Sequence, residues 1–130
     1  KILNNYIHEI KKELKLKNSQ ICLSGFSQGC MMSINIGLTS NENYNCIVGF
    51  SGKIINIDNL SKRITSKTNT LLMHGDSDQI VSPTNLLNSK DFFLRNKISI
   101  QTKMIKNCDH HIPVEATSAA LKFIQDNLNI

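Results

Sequence analysis

The sequence predicts an α/β fold: a parallel sheet of four strands with helices on both faces, in one domain over residues 1–130. Three observations lead there. Helix-period segments alternate with short apolar runs along the chain. Each of these runs gives way to a turn that carries Gly, Ser, Asp or His. The composition, with 40% hydrophobic and 19% charged residues over 130 positions, supports one packed core and argues against disorder.

Residues 2–16 carry Leu3, Ile7, Ile10 and Leu14 at helical spacing. Ile21, Cys22 and Leu23 form a short buried run that stops at Gly25. Residues 28–38 read as a helix with Met31, Met32, Ile34 and Leu38. Residues 46–50 are a second strand, and the stretch onward to Thr68 is irregular. Residues 70–73 are a third strand ending at His74 and Gly75. Residues 83–95 form a helix, with Pro83 suited to its first turn. From Ile98 to Ile105 a fourth strand alternates Ile98, Ile100, Thr102 and Met104 with polar neighbours. Pro113 opens a last helix with Ala120, Leu121, Ile124 and Leu128 on one face.

The net charge is +5, but lysine supplies nearly all the positive charge, and only Arg63 and Arg95 are arginines. Base recognition favours arginine, so a nucleic-acid partner is not expected. The densest basic stretch (Lys11, Lys12, Lys15, Lys17) reads as a solvated helix face. The apolar runs are far too short for a stable membrane insertion, and no secretory signal pattern opens the sequence. Cys22, Cys30, Cys46 and Cys108 show no zinc spacing; buried, reduced thiols and a cytoplasmic location are expected.

In a parallel sheet, chemistry gathers at the carboxyl ends of the strands. After the first strand comes Gly25-Phe26-Ser27-Gln28-Gly29, a GxSxG between strand and helix. Such a turn exposes a serine Oγ, and small residues two places either side relieve crowding. The following helix then aims its dipole and the Gln28 N–H at a developing oxyanion. After the third strand stand Asp76 and Asp78, either of which could orient a histidine. After the fourth come His110 and His111, either of which could be the general base. The chain order Ser, Asp, His is that of nucleophilic acyl transfer on such a sheet.

These blocks, with Ser51-Gly52, His74-Gly75-Asp76-Ser77-Asp78-Gln79-Ile80-Val81 and Asp109-His110-His111-Ile112, closely resemble the phospholipase/carboxylesterase family, in its acyl-protein-thioesterase-like branch of the α/β-hydrolases. The resemblance spans nearly the whole chain. It implies Ser27 as nucleophile, Asp78 as acid, His110 as base and the Gln28 N–H as oxyanion donor, with no metal and no organic cofactor. It implies a carboxylesterase, lysophospholipase or acyl-thioesterase acting on small esters, lysophospholipids or acyl-thioesters. Asp109 stands where a glycine often precedes the histidine. Cys30 stands where a further glycine often follows the serine block, a change that bears on helix packing.

Family members carry strands before the serine, and a His-Gly loop there gives the second oxyanion N–H. Nothing like these occurs in residues 1–130, so the chain is expected to be the C-terminal part of the fold, a partial domain. Residues 21–23 would then be an open apolar edge, prone to self-association or to pairing with an N-terminal piece. The alternative to an active hydrolase is an inactive or complementation-dependent fragment lacking half its oxyanion hole.

Overall fold

The computed structural model describes all of residues 1–130. Its elements are α1 (Ile2–Leu14), β1 (Cys22–Phe26), α2 (Gln28–Leu38), β2 (Cys46–Phe50), α3 (Ile57–Ser61), β3 (Thr70–Gly75), α4 (Thr84–Arg95), β4 (Ile100–Ile105) and α5 (Val114–Leu128). All strands are parallel, in the spatial order β1-β2-β3-β4. The two central strands are buried along their whole length, as a sheet covered on both faces requires.

Alternation along each strand splits the apolar side chains between two cores. Ile47 and Leu72 meet Ile34 and Leu38 of α2, Leu60 of α3 and Leu86, Phe92 and Phe93 of α4. On the other face Cys46, Val48, Phe50, Leu71 and Met73 meet Ala116, Ala120 and Phe123 of α5. No helix is long and apolar enough to cross a membrane.

Several elements differ from the sequence expectation. β1 does not stop at Gly25 but runs through Phe26, because its backbone pairs with β2 from Cys22↔Cys46 to Phe26↔Phe50. The stretch expected to be irregular contains α3, started by the Asn56 side chain accepting from the Asn59 N–H and anchored by buried Leu60. Met104, expected inward, is exposed, and Ile105 is buried against α5 instead. Leu121 is likewise exposed; Ala116, Ala120 and Phe123 form the buried stripe of α5. α1 has no buried residue although its apolar spacing is clear, and Leu14 lies open.

The ladder continues past the strand ends. The Ser27 N–H donates to the Phe50 carbonyl (2.7 Å) and the Ser51 N–H to that of Met73 (2.8 Å). The N–H groups of Asp76 and Ser77 donate to Ile105 and Cys108, both at 2.9 Å. The loops after β1, β3 and β4 are therefore tied into one rigid rim.

All four cysteines are free, with Cys22 half-buried and the rest buried. Burial pushes the Cys30 thiol up to about 12, against a smaller opposing effect of its hydrogen bond with the Gly52 backbone. Its Sγ fills the space beside two glycines: a Cβ on Gly49 or Gly52 would lie 2.4 or 2.6 Å from it.

Candidate active site

Ser27 sits between β1 and α2 with φ 56° and ψ −114°, a strained backbone outside the left-handed helical well. The tight turn needs Gly25, since a Cβ there would stand 2.2 Å from the Gly29 carbonyl carbon. Gly29 itself is not needed for room, because a Cβ on it meets nothing within 4 Å. The expected relief of crowding thus falls on one glycine only. Gln28 begins α2, where backbone N–H groups lack helical partners.

Asp78 is buried in the turn after β3. Its Oδ1 accepts the N–H groups of Ile80 (2.8 Å) and Val81 (2.9 Å). Its Oδ2 lies 2.7 Å from His110 Nδ1. Burial pushes the carboxyl upward, but the His110 hydrogen bond, the two backbone donors and the His110 charge together hold it below its ordinary value. An ionised Asp78 can only accept, so His110 Nδ1 carries the proton and Nε2 is left with its lone pair. That Nε2 lies 3.0 Å from Ser27 Oγ.

The structure brings Ser27, His110 and Asp78 together and leaves their neighbours aside. Asp76 is exposed and accepts from the Ser77 hydroxyl (2.9 Å). His111 is exposed and pairs with Asp109. One participant escaped the sequence reading. His74 is 2% exposed; its Nε2–H donates to the Val81 carbonyl (2.8 Å) and lies 3.4 Å from Asp78 Oδ2. It clamps the Asp78 turn from behind. The signal was present as a histidine four places before Asp78, but it reads as a strand end.

Beside His110 opens a shallow cleft of about 400 Å³, lined by Ser77, Gln79, Ile80 and Asp109. No three His, Cys, Asp or Glu side chains are gathered as a metal-binding group.

Four parallel strands with helices on both faces, a serine on a strained strand-to-helix turn and a histidine between it and a buried aspartate define the α/β-hydrolase class of fold. Within that class, the chain belongs to the phospholipase/carboxylesterase family, whose model matches residues 1–128. It is similar to acyl-protein thioesterase 1 of Yarrowia lipolytica, 28% identical over 116 residues, covering 85% of this chain and 51% of the relative. It is 28% identical over 127 residues to that of Schizosaccharomyces pombe, covering 92% of this chain and 56% of the relative. The chain spans about half the length of these relatives. Among solved structures, esterase PE8 superposes with a TM-score of 0.94 at 27% identity, over 96% of this chain and 58% of that one. Arabidopsis thaliana SOBER1 matches in fold, with a TM-score of 0.86 at 18% identity, over 96% of this chain and 62% of that one.

Proposed function

We propose that this chain carries the Ser27–His110–Asp78 catalytic triad of a serine hydrolase that cleaves carboxylic esters or thioesters. The observation that carries the reading is the continuous hydrogen-bonded line from Ser27 Oγ through His110 to Asp78. As Ser27 Oγ attacks the acyl carbonyl, His110 Nε2 takes its proton, and Asp78 steadies the imidazolium through Nδ1–H. The carbonyl oxygen becomes an oxyanion facing the Gln28 N–H and the positive end of α2. His110 then protonates the departing alkoxide or thiolate, and later draws a proton from the attacking water and passes it to Ser27 Oγ as the acid is released. The family's description, phospholipase/carboxylesterase, and the names of its relatives, esterase and acyl-protein thioesterase, support small esters, lysophospholipids or acyl-thioesters as substrates. Four free thiols support a reducing, cytoplasmic setting.

A second reading is favoured by two observations: β1 pairs on one side only, and α1 has no buried residue. On this reading residues 1–130 reach full activity only when a segment supplying further strands and a second oxyanion donor pairs with β1. Loss of one such donor typically costs about 100- to 1,000-fold in turnover.

Reaction with a fluorophosphonate, followed by peptide mapping, tests the assignment. Label on Ser27, lost in His110→Ala, is the expected result. Label on another serine, or none even with the upstream strands supplied, would overturn it. Turnover of p-nitrophenyl esters and acyl-thioesters, with and without that segment, separates the two readings.

A further inference from the structure

The Phe26 ring packs against the His110 imidazole, with centroids 4.7 Å apart and planes tilted by 46°. Phe26 ends β1, directly before Ser27, and points to the same side of the sheet as its register partner Phe50. It stays 36% exposed.

His110 is held at both ring nitrogens, by Asp78 at 2.7 Å and Ser27 at 3.0 Å. Two bonds at opposite ends of a ring restrain its translation well. They restrain roll about the line joining them only through hydrogen-bond directionality, which is soft over tens of degrees. The Cβ–Cγ bond limits that roll, and the Phe26 ring packed against the imidazole opposes it further. The face of a phenyl ring also carries negative charge density, and 4.7 Å lies inside the range over which it attracts a cation. The imidazole is neutral before Ser27 attacks and cationic once it has taken the proton. Attraction to Phe26 therefore grows along the reaction coordinate, which is what lowers a barrier.

We propose that Phe26 is a positioning residue for the reaction above, holding the plane of His110 and favouring its imidazolium through this ring contact. The proposal rests on the triad reading for its kinetic consequence, but its geometric part concerns the free protein alone.

The test compares Phe26→Leu and Phe26→Met, which keep bulk without a ring, with Phe26→Tyr, which keeps the ring. In proton NMR of the whole chain, the far-downfield His110 Nδ1 proton bonded to Asp78 should be sharp in the parent and Phe26→Tyr. It should broaden or vanish in the two ringless variants, while the remaining dispersed spectrum reports an intact fold. In fluorophosphonate labelling of Ser27, the maximal rate should fall about three- to thirtyfold in the ringless variants, with half-saturation changed less than about twofold, and Phe26→Tyr should restore most of it. A sharp Nδ1 proton and parental rate in either folded ringless variant overturn the proposal. So does a Phe26→Tyr protein as impaired as Phe26→Leu. If the parent never labels at Ser27 even with the upstream strands supplied, the triad reading fails, and the NMR comparison alone decides whether Phe26 holds the ring.

Discussion

A Cβ on Gly75 would stand 2.2 Å from the carbonyl oxygen of Cys108 and 2.6 Å from that of Asp109. The end of β3 and the loop carrying His110 touch backbone to backbone, and glycine is what lets them. Ser77 N–H reaches the same Cys108 carbonyl at 2.9 Å. The contact sets the separation of the Asp78 turn from the His110 loop.

Gly75→Ala should therefore push the two loops apart and lengthen the Asp78–His110 bond. We expect loss of at least about 1 kcal/mol of stability and most Ser27 labelling. Gly29→Ala, made in open space at the start of α2, should leave stability equal or slightly raised. Chemical denaturation of both variants checks the contrast, and equal losses would show that the loop contact is not limiting.

His110→Ala should lower hydrolysis or labelling by at least about 100-fold, and His111→Ala by less than about threefold. The reason is placement: His110 Nε2 faces Ser27, whereas His111 pairs with Asp109 in solvent. Rates measured side by side decide it, and the reverse ranking would move the base to His111.

The folded chain holds the Asp78 carboxyl below its ordinary value. As pH falls, the unfolded chain takes up that proton first, so the stability linked to Asp78 is fully present above about pH 4 and drains away as pH drops through the lower, folded-state value. Asp78→Asn has no such proton to bind. Its denaturation midpoint should fall less steeply than the parent's below about pH 4. Parallel acid limbs for the two proteins would contradict this.

His74→Phe should strand the Val81 carbonyl and loosen the Asp78 turn. A cost of about 1–3 kcal/mol is expected from the orphaned acceptor, with partial rather than complete loss of labelling. Thermal melts and labelling rates together test it. Full stability would mean that water replaces the histidine.

Ser24 is an exposed position in the middle of edge strand β1. Ser24→Lys should reduce self-association of the chain, because a charge on an open edge discourages pairing with another strand. Light scattering over a concentration series is the measurement. Unchanged scattering would place any association elsewhere, with the exposed apolar residues of α1, Ile2 and Leu14, as the next surface to vary.

The sequence by itself determined the order and type of the main elements, because helix and strand periodicity and turn chemistry are written over a few neighbouring residues. It likewise marked the Ser27 turn and the paired aspartates and histidines at strand ends. From the residues alone Asp76 and Asp78, and His110 and His111, stood equal; the family resemblance favoured one of each. Only the tertiary structure put His110 against Asp78 and Ser27, partners 32 and 83 positions away along the chain. The same distance in sequence hid the His74 clamp's role and the Phe26 contact. Local pattern also misjudged Met104, Leu121 and the face of α1, because periodicity says which side chains share a face and not whether anything lies opposite. Burial is decided by packing between elements, and that is settled only when the sheet is assembled.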